Sequence, residues 1–426
     1  MEPKKKRARA GAVAAMLTVT GLLWGYLGIF FSLPGDLSVV EGGEVILPGK
    51  FPVTLELPAS ASEIAQVEGD LFGESVIRAG GQEVQGQGVL AQYKLFGVVP
   101  IGGVNIQVLP DVELVPCGST AGVRMLTDGV MIVGFSDVVC GGQMCNPALE
   151  AGLAMQDVIT HMNGLEIHSV EELSLVLEQS GEAPLEITYR RGQQTRSTVL
   201  QPKRDDTDGA SKLGLWVRDS AAGIGTITFV DPETGFFGGL GHGICDVDTG
   251  QLMPLYQGVI QEASVVDVTP GQKGEPGELH GQYGESQLGQ LTLNTSSGIF
   301  GVLDEMPQQL GQAMPIALQG EIEEGEATIL SNVEGNRVQE FTVEIQRVMH
   351  GSGVEGRNML LQVTDPELLE KTGGIVQGMS GSPILQNGKL VGAVTHVLID
   401  DPTRGYGIFI ENMLRQGQAA YQQPAA

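Results

Sequence analysis

Hydrophobic and polar residues alternate in short runs along most of this chain, the pattern of strands that bury one face. Glu44-Val45-Ile46-Leu47-Pro48, Val53-Thr54-Leu55-Glu56-Leu57 and Gln92-Tyr93-Lys94-Leu95-Phe96-Gly97-Val98-Val99 show it early. Thr226-Ile227-Thr228-Phe229-Val230, the turn Asp231-Pro232-Glu233-Thr234-Gly235 and the segment Phe236 to Ile244 predict a hairpin. A second spans Thr328 to Arg347 around Glu334-Gly335-Asn336-Arg337, and a third joins Pro383–Leu385 to Leu390–Val397 through Gln386-Asn387-Gly388-Lys389. Helical signals are few. Pro147 opens a short helix, Ser169 and Glu172 form a capping box ahead of Leu173, Val176 and Leu177, and Pro366 to Lys371 is the last.

Composition agrees with a mainly β chain. The 426 residues hold 62 glycines and 21 prolines and suffice for two to four domains. A net charge of −27 argues against a nucleic-acid partner, since a polyanion would be repelled. The N-terminus departs from that trend: Lys4-Lys5-Lys6-Arg7-Ala8-Arg9 is basic, and residues 10 to 33 carry no charge. Such a stretch is long enough to cross a bilayer and ends in aromatics, not in a clear cleavage site. It predicts a signal anchor over residues 1–34, with everything after Pro34 across the membrane. Residues 35–112 read as a small β module with nothing catalytic in it.

The chemistry concentrates near the C-terminus. Gly378-Met379-Ser380-Gly381-Ser382-Pro383 is a serine on a glycine-flanked turn leading into a hairpin. A serine hydroxyl attacks a carbonyl only if a base takes its proton and donors hold the oxyanion. Glycines 378 and 381 permit the sharp fold that would turn the amides of Gly378 and Ser380 toward one point. This segment resembles the nucleophile region of chymotrypsin-like serine proteases. A Gly-x-Ser-x-Gly esterase elbow would be followed by a helix, and here Pro383 and a strand follow.

Residues 113–204 resemble a bacterial PDZ domain. The resemblance rests on Pro147-Ala148-Leu149-Glu150-Ala151-Gly152-Leu153, Asp157-Val158-Ile159-Thr160-His161-Met162-Asn163-Gly164 and the capped helix from Ser169. It implies a peptide groove whose carboxylate loop is expected at Thr120-Ala121-Gly122-Val123. Cys140 and Cys145 share one glycine-rich loop and can pair outside the cytoplasm, though their spacing is not that of a zinc knuckle. Asp246-Val247-Asp248-Thr249-Gly250 hints at calcium, but position twelve of such a loop would be Gln257, so that reading fails. No metal or cofactor is expected.

Beyond a polar linker, residues 205–426 form the expected peptidase domain. His242 lies between two glycines and upstream of the serine, which makes it the candidate base. His161, His168, His280, His350 and His396 compete, and His396, on an apolar strand, is the main decoy. For the acid, Asp246 and Asp248 sit at a hairpin tip, and Asp365 ends an apolar strand; Asp365 is preferred.

Gly-Leu-Gly-His-Gly, Thr-Asp-Pro and the run from Thr372 to Pro383, in this order behind a PDZ-like segment, resemble the SpoIVB peptidase family of endospore-forming bacteria. The resemblance implies a self-cleaving serine endopeptidase with the triad His242, Asp365 and Ser380. It would be anchored and exported from the forespore into the space between the two forespore membranes. There it would cut a regulator of a membrane-embedded metalloprotease and so trigger sigma factor K. Its implied partners are that protein substrate, its own N-terminal region and the membrane. The competing class is a membrane-tethered PDZ scaffold without catalysis.

Overall fold

The computed structural model describes residues 33, 35–47, 53–58, 61, 64–69, 75–80, 88–307, 310–349 and 356–421, the side chains of 46, 47, 69, 75 and 418–421 excepted. Apart from Leu33, the expected signal anchor lies outside these residues. Among the described residues no helix is long and apolar enough to cross a membrane.

Among the described residues the N-terminal module is mainly β. Asp36–Val40 runs parallel to Val99–Leu109, which continues through Gly88–Leu95 to Val53–Glu56; Glu44–Leu47, Ser75–Ala79 and Ala65–Gly69 form a second sheet. Alternate residues such as Val89, Ala91 and Tyr93 point inward, as the sequence pattern predicts.

The rest of the chain builds two closed rings of six strands. The first contains β1 (Thr120–Phe135), and β1 leads into α1 (Pro147–Glu150), β2 (Val158–Met162), α2 (Val170–Ser180), β3 (Leu185–Arg191) and β4 (Gln194–Leu200). The chain returns as β5 (Leu215–Val230), then β6 (Phe236–Gly239), β7 (Leu255–Thr269), β8 (Glu278–Thr295) and β9 (Gly298–Leu303). Pairing runs β1-β5-β6-β9-β8-β7 and closes from β7 back onto β1. The second ring holds β10 (Gly325–Glu334), β11 (Arg337–Val348), β12 (Met359–Val363), β13 (Pro383–Gln386), β14 (Lys389–Leu398) and β15 (Asp401–Phe409). Its order, β10-β11-β12-β15-β14-β13, repeats that of the first. α3 (Pro366–Thr372) joins β12 to the serine turn, and α4 (Ile410–Tyr421) closes the chain.

Closing each ring removes the unpaired edges that open sheets expose and gives each barrel an interior of its own. Ala121, Val123, Ile227, Phe237 and Ile260 fill the first; Ile329, Phe341, Ile345 and Leu361 fill the second. The seam between them is also apolar. Phe229, Phe236 and Phe300 meet Ala393 and Ile408 there under Met413 and Leu414 of α4, so each aromatic contributes roughly 2–3 kcal/mol toward holding the barrels together.

The PDZ-like segment is an insertion in the first barrel. β1 and β5 pair from Thr120↔Thr226 to Phe135↔Leu215, so one two-stranded ladder belongs to the barrel at one end and to the PDZ-like unit at the other. Gly129 marks the passage: its φ is +100°, and a Cβ there would stand 2.6 Å from the Ile159 carbonyl oxygen. Beyond it β1 pairs with β2, and β2-β3-β4 complete the smaller sheet under α2, whose Leu173 and Val176 meet Ile132, Ile159 and Ile187. The predicted capping box of Ser169 and Glu172 is present, and Cys140 and Cys145 form a disulfide.

Two expectations are corrected here. Strands on both sides of residues 204/205 share a ladder, because Glu113–Pro116 and β1 pair with β5. Thr120, Ala121, Gly122 and Val123 are not a carboxylate loop. They are a buried stretch of β1 paired to β5 on one side and, from Ala121 on, to β7 on the other, and a Cβ on Gly122 would come within 2.2 Å of the Tyr283 ring. Their small, apolar character serves barrel packing and leaves no edge for a peptide.

Candidate active site

The site lies where the two barrels meet. β6 ends at Gly239, and the chain turns through Leu240 (φ +65°) and Gly241 (φ +68°) to present His242. Gly241 is needed because a Cβ would stand 2.9 Å from the Thr395 methyl of β14. From the other barrel, α3 delivers Gly373 to Gly378 and then Ser380. Gly378 (φ +96°) and Gly381 (φ +99°) adopt conformations costly to other residues, and a Cβ on Gly381 would strike the Thr226 carbonyl at 2.1 Å.

Thr226 of β5 joins the two loops. Its N–H donates to the Ser380 carbonyl at 3.1 Å, its hydroxyl donates to the Gly378 carbonyl at 2.9 Å, and its own carbonyl accepts from Leu240 N–H. The serine turn and the histidine loop are therefore tied to one residue.

The Ser380 hydroxyl is half-buried and donates to the Thr395 carbonyl at 2.8 Å. The N–H groups on either side are divided in function. Met379 donates to Val376 and Gly381 to Val394, whereas those of Gly378 and Ser380 have no acceptor among the described residues. Two donors left over beside the nucleophile are what an oxyanion requires.

His242 Nδ1 lies 2.9 Å from the Gly243 carbonyl oxygen. A carbonyl only accepts, so Nδ1 carries the proton and Nε2 keeps its lone pair, the tautomer a general base needs. Burial holds the imidazole pKa below its ordinary 6.5, against the opposing pull of that carbonyl. His396 joins the site with its ring centroid 5.3 Å from that of His242. It is not a core residue: its side chain reaches solvent, and partial burial, then His242 and Arg357, push its pKa down to about 4. The other histidines stand elsewhere. His161 touches Thr160, His168 stacks on Tyr256 and His280 meets Thr269; His350 lies outside the described residues.

Asp365 is not brought to His242. It is the N-cap of α3, with Oδ1 accepting from Glu367 N at 2.9 Å and Leu368 N at 3.0 Å, and Oδ2 accepting from Thr342 N at 3.3 Å. Asp-Pro before a short helical run is a cap signature, and the carboxylate is spent on it. Asp246 likewise holds its own turn and Arg218. The residue that does brace the histidine loop is Asn294, at the end of β8. Its Oδ1 accepts from Ile244 N, and its Nδ2 donates to the carbonyls of Ile244 and Met253. Nothing in the sequence marks it, since the contact spans 50 residues.

A serine with two spare amides and, on a loop tied to the same Thr226, a half-buried histidine in its basic tautomer define a serine endopeptidase built on paired β-barrels with a PDZ-like insertion. Residues 209–414 match the family model described as SpoIVB peptidase S55. Other likenesses are partial. A candidate zinc metalloprotease of Bartonella henselae is 33% identical over 88 residues, 21% of this chain; the chain spans 24% of that relative's length. The PDZ domain of an SdrC-like protein of Listeria monocytogenes covers 21% of this chain and 87% of its own, at 20% identity and a TM-score of 0.18. An inactive serine-to-alanine form of Rv3671c from Mycobacterium tuberculosis covers 48% and 84%, at 14% identity and a TM-score of 0.28.

Proposed function

We propose that this chain is a chymotrypsin-like serine endopeptidase of the sporulation type that cuts a protein regulator at a membrane surface. Ser380 is the nucleophile and His242 the general base, with the amides of Gly378 and Ser380 as the oxyanion hole. The observation that carries the reading is the pair of unspent amides beside Ser380, together with a His242 tautomer fixed for proton acceptance. In the first step the Ser380 hydroxyl leaves the Thr395 carbonyl, gives its proton to His242 Nε2 and bonds to the substrate carbonyl carbon. The imidazolium then returns that proton to the leaving amine, and water, deprotonated by the same nitrogen, releases the acyl group. Gly243 takes the place of an orienting acid by holding Nδ1–H. Self-cleavage, membrane attachment through residues 1–34, a site between the forespore membranes and action on a sigma factor K pathway belong to the same reading and rest on the family resemblance.

Labelling of the purified full chain with a fluorophosphonate tests it, because the reagent reports an activated serine without a guessed substrate. The label is expected on Ser380, with a rate that rises with pH through an apparent pKa below 6.5, as the low His242 pKa requires. A rate that rises only above pH 8, or a label elsewhere, would overturn it.

A further inference from the structure

One hairpin tip of the N-terminal module carries apolar side chains outward. Gly88–Leu95 turns into Val99–Leu109 through Phe96, Gly97 and Val98, with Val98 N–H donating to the Leu95 carbonyl at 3.1 Å. Phe96 (φ +54°) and Gly97 (φ +71°) are the central pair of this turn, and both take the left-handed conformation. Asparagine before glycine is the pair such a turn favours, as at Asn387-Gly388, and a bulky aromatic in the first place is costly. Even so, Phe96, Val98 and Val99 are 53%, 75% and 52% exposed, and Phe96 to Pro100 form one exposed run. From Leu95 to Val104 the chain has no polar side chain, and its next charge is Asp111. Consecutive exposed apolar residues on a strained turn mark a surface that meets an apolar partner.

The strand pairing says which partner that is. Asp36–Val40 runs parallel to Val99–Leu109, with Asp36 beside Asn105 and the Gly35 carbonyl accepting from Asn105 N–H at 2.9 Å. In a parallel pair the chain before Asp36 arrives from the side of Gly103, Ile101 and Val99, the end at which the tip stands; Leu33 packs on the module's core. Val99 lies six positions from Asn105 (105 − 99), a span of roughly 20 Å at about 3.3 Å per residue. The uncharged residues 10–33, long enough to cross a bilayer, therefore lead into the module from the end that presents Phe96, Val98 and Val99.

We propose that this tip inserts into the boundary between headgroups and acyl chains of a lipid bilayer, as a second attachment point beside residues 10–33. The inference rests on the reading that residues 1–34 hold the chain to a membrane. Contact at two points orients the module against the surface, where a single anchor leaves it free to swing. The tip has no cation, Lys94 just before it is ion-paired to Glu56, and the chain's net charge is −27. Apolar burial, and not attraction to anionic lipid, therefore supplies the contact.

The test uses the full chain carrying Ser380→Ala, so that no self-cleavage intervenes, and Trp24→Phe with Trp216→Phe, so that one added tryptophan reports alone. It is reconstituted into phosphatidylcholine vesicles with and without lipid brominated near the headgroup end of the acyl chain. Phe96→Trp is expected to lose at least about half of its emission to the brominated lipid, as insertion to that depth requires. Leu90→Trp, on the same hairpin but level with Asn105, should lose less than about a tenth, because it stands roughly 20 Å from the tip. Adding Val98→Asp to Phe96→Trp should lower the quenching at least about threefold, and phosphatidylglycerol in place of phosphatidylcholine should not raise it. A Phe96→Trp chain that floats with the vesicles but is not quenched, its tip covered by a second copy or by residues 10–33, would overturn the tip and leave the anchor standing. Equal quenching of Phe96→Trp and Leu90→Trp, quenching that Val98→Asp leaves unchanged, or quenching seen only with phosphatidylglycerol would overturn it too. If the Val98→Asp variant does not fold, the comparison of Phe96→Trp with Leu90→Trp decides. Failure of the full chain to float with vesicles overturns the anchor and the tip with it.

Discussion

Asn294 grips both backbone groups of Ile244: its Oδ1 accepts from the Ile244 N–H at 2.8 Å and its Nδ2 donates to the Ile244 carbonyl at 2.9 Å. His242 lies two residues away, so the end of β8 fixes the loop that carries the base. Asn294→Ala should lower kcat by roughly 10–100-fold through loss of positioning. Asn294→Asp should be no better, because a carboxylate cannot donate to the carbonyls of Ile244 and Met253. Steady-state kinetics on a peptide cleaved by the wild type, with thermal melts as folding control, measure this; wild-type kcat in either variant would exclude the role.

The two neighbouring imidazoles should behave differently on substitution. Ser380→Ala and His242→Ala should each lower turnover by on the order of 10⁴-fold, and the double variant by little more, since nucleophile and base act as a unit. His396→Gln should stay within about tenfold of wild type, because the His396 ring reaches solvent, whereas the Gly243 carbonyl holds His242 in its basic tautomer. A multiplicative loss in the double variant, or a dead His396→Gln protein, would reassign the base.

Asp365 offers a test between two roles. As the cap of α3 it should tolerate asparagine, which caps as well, while Asp365→Ala should cost about 1 kcal/mol of stability. As an orienting acid it would lose orders of magnitude with asparagine at unchanged stability. The geometry predicts the first outcome, and parallel melts and turnover numbers for the two variants separate them.

Glu411 of α4 gives the protein a dependence on pH. It is 1% exposed, and burial pushes its pKa up to about 7 against the Gln319 N–H it accepts. The folded state therefore holds a proton that the unfolded chain, with its ordinary value of 4.5, has released. That contribution is complete below pH 4.5 and is lost as pH rises through 7, amounting to at most on the order of 3 kcal/mol. Glu411→Gln should match wild type in denaturant melts at pH 4.5 and exceed it at pH 8. An unchanged difference across that range would show that Glu411 does not titrate there.

Local signals were readable in the sequence. Asn387-Gly388 forms the expected hairpin turn with φ of +52° and +75°, Ser169 and Glu172 cap α2, and glycines around Ser380 and His242 do the steric work their positions suggest. What stayed hidden was set by distant partners. Gly122 looked like a loop glycine because Tyr283, which forbids a side chain there, lies 161 residues on (283 − 122). Asp365 looked like a triad member because it follows an apolar strand, though Pro366 after it already signalled a cap. His396 reads as core from the apolar residues around it, and only the antiparallel register with β15 places it at the barrel seam.

The insertion between β1 and β5 also bears on how the chain finds its fold. The first strand of the first barrel is synthesised long before its partner, with residues 136–214 between them, and closing so large a loop from the unfolded state costs about 4 kcal/mol. The PDZ-like unit meets most of that cost in advance. Its core can assemble from contacts close in sequence, and once Leu213 docks against Leu173 and Val176 the two halves of the ladder already lie side by side. Pairing can then zip from Phe135–Leu215 toward Thr120–Thr226, so the inserted unit acts as a folding clamp for the barrel that carries His242.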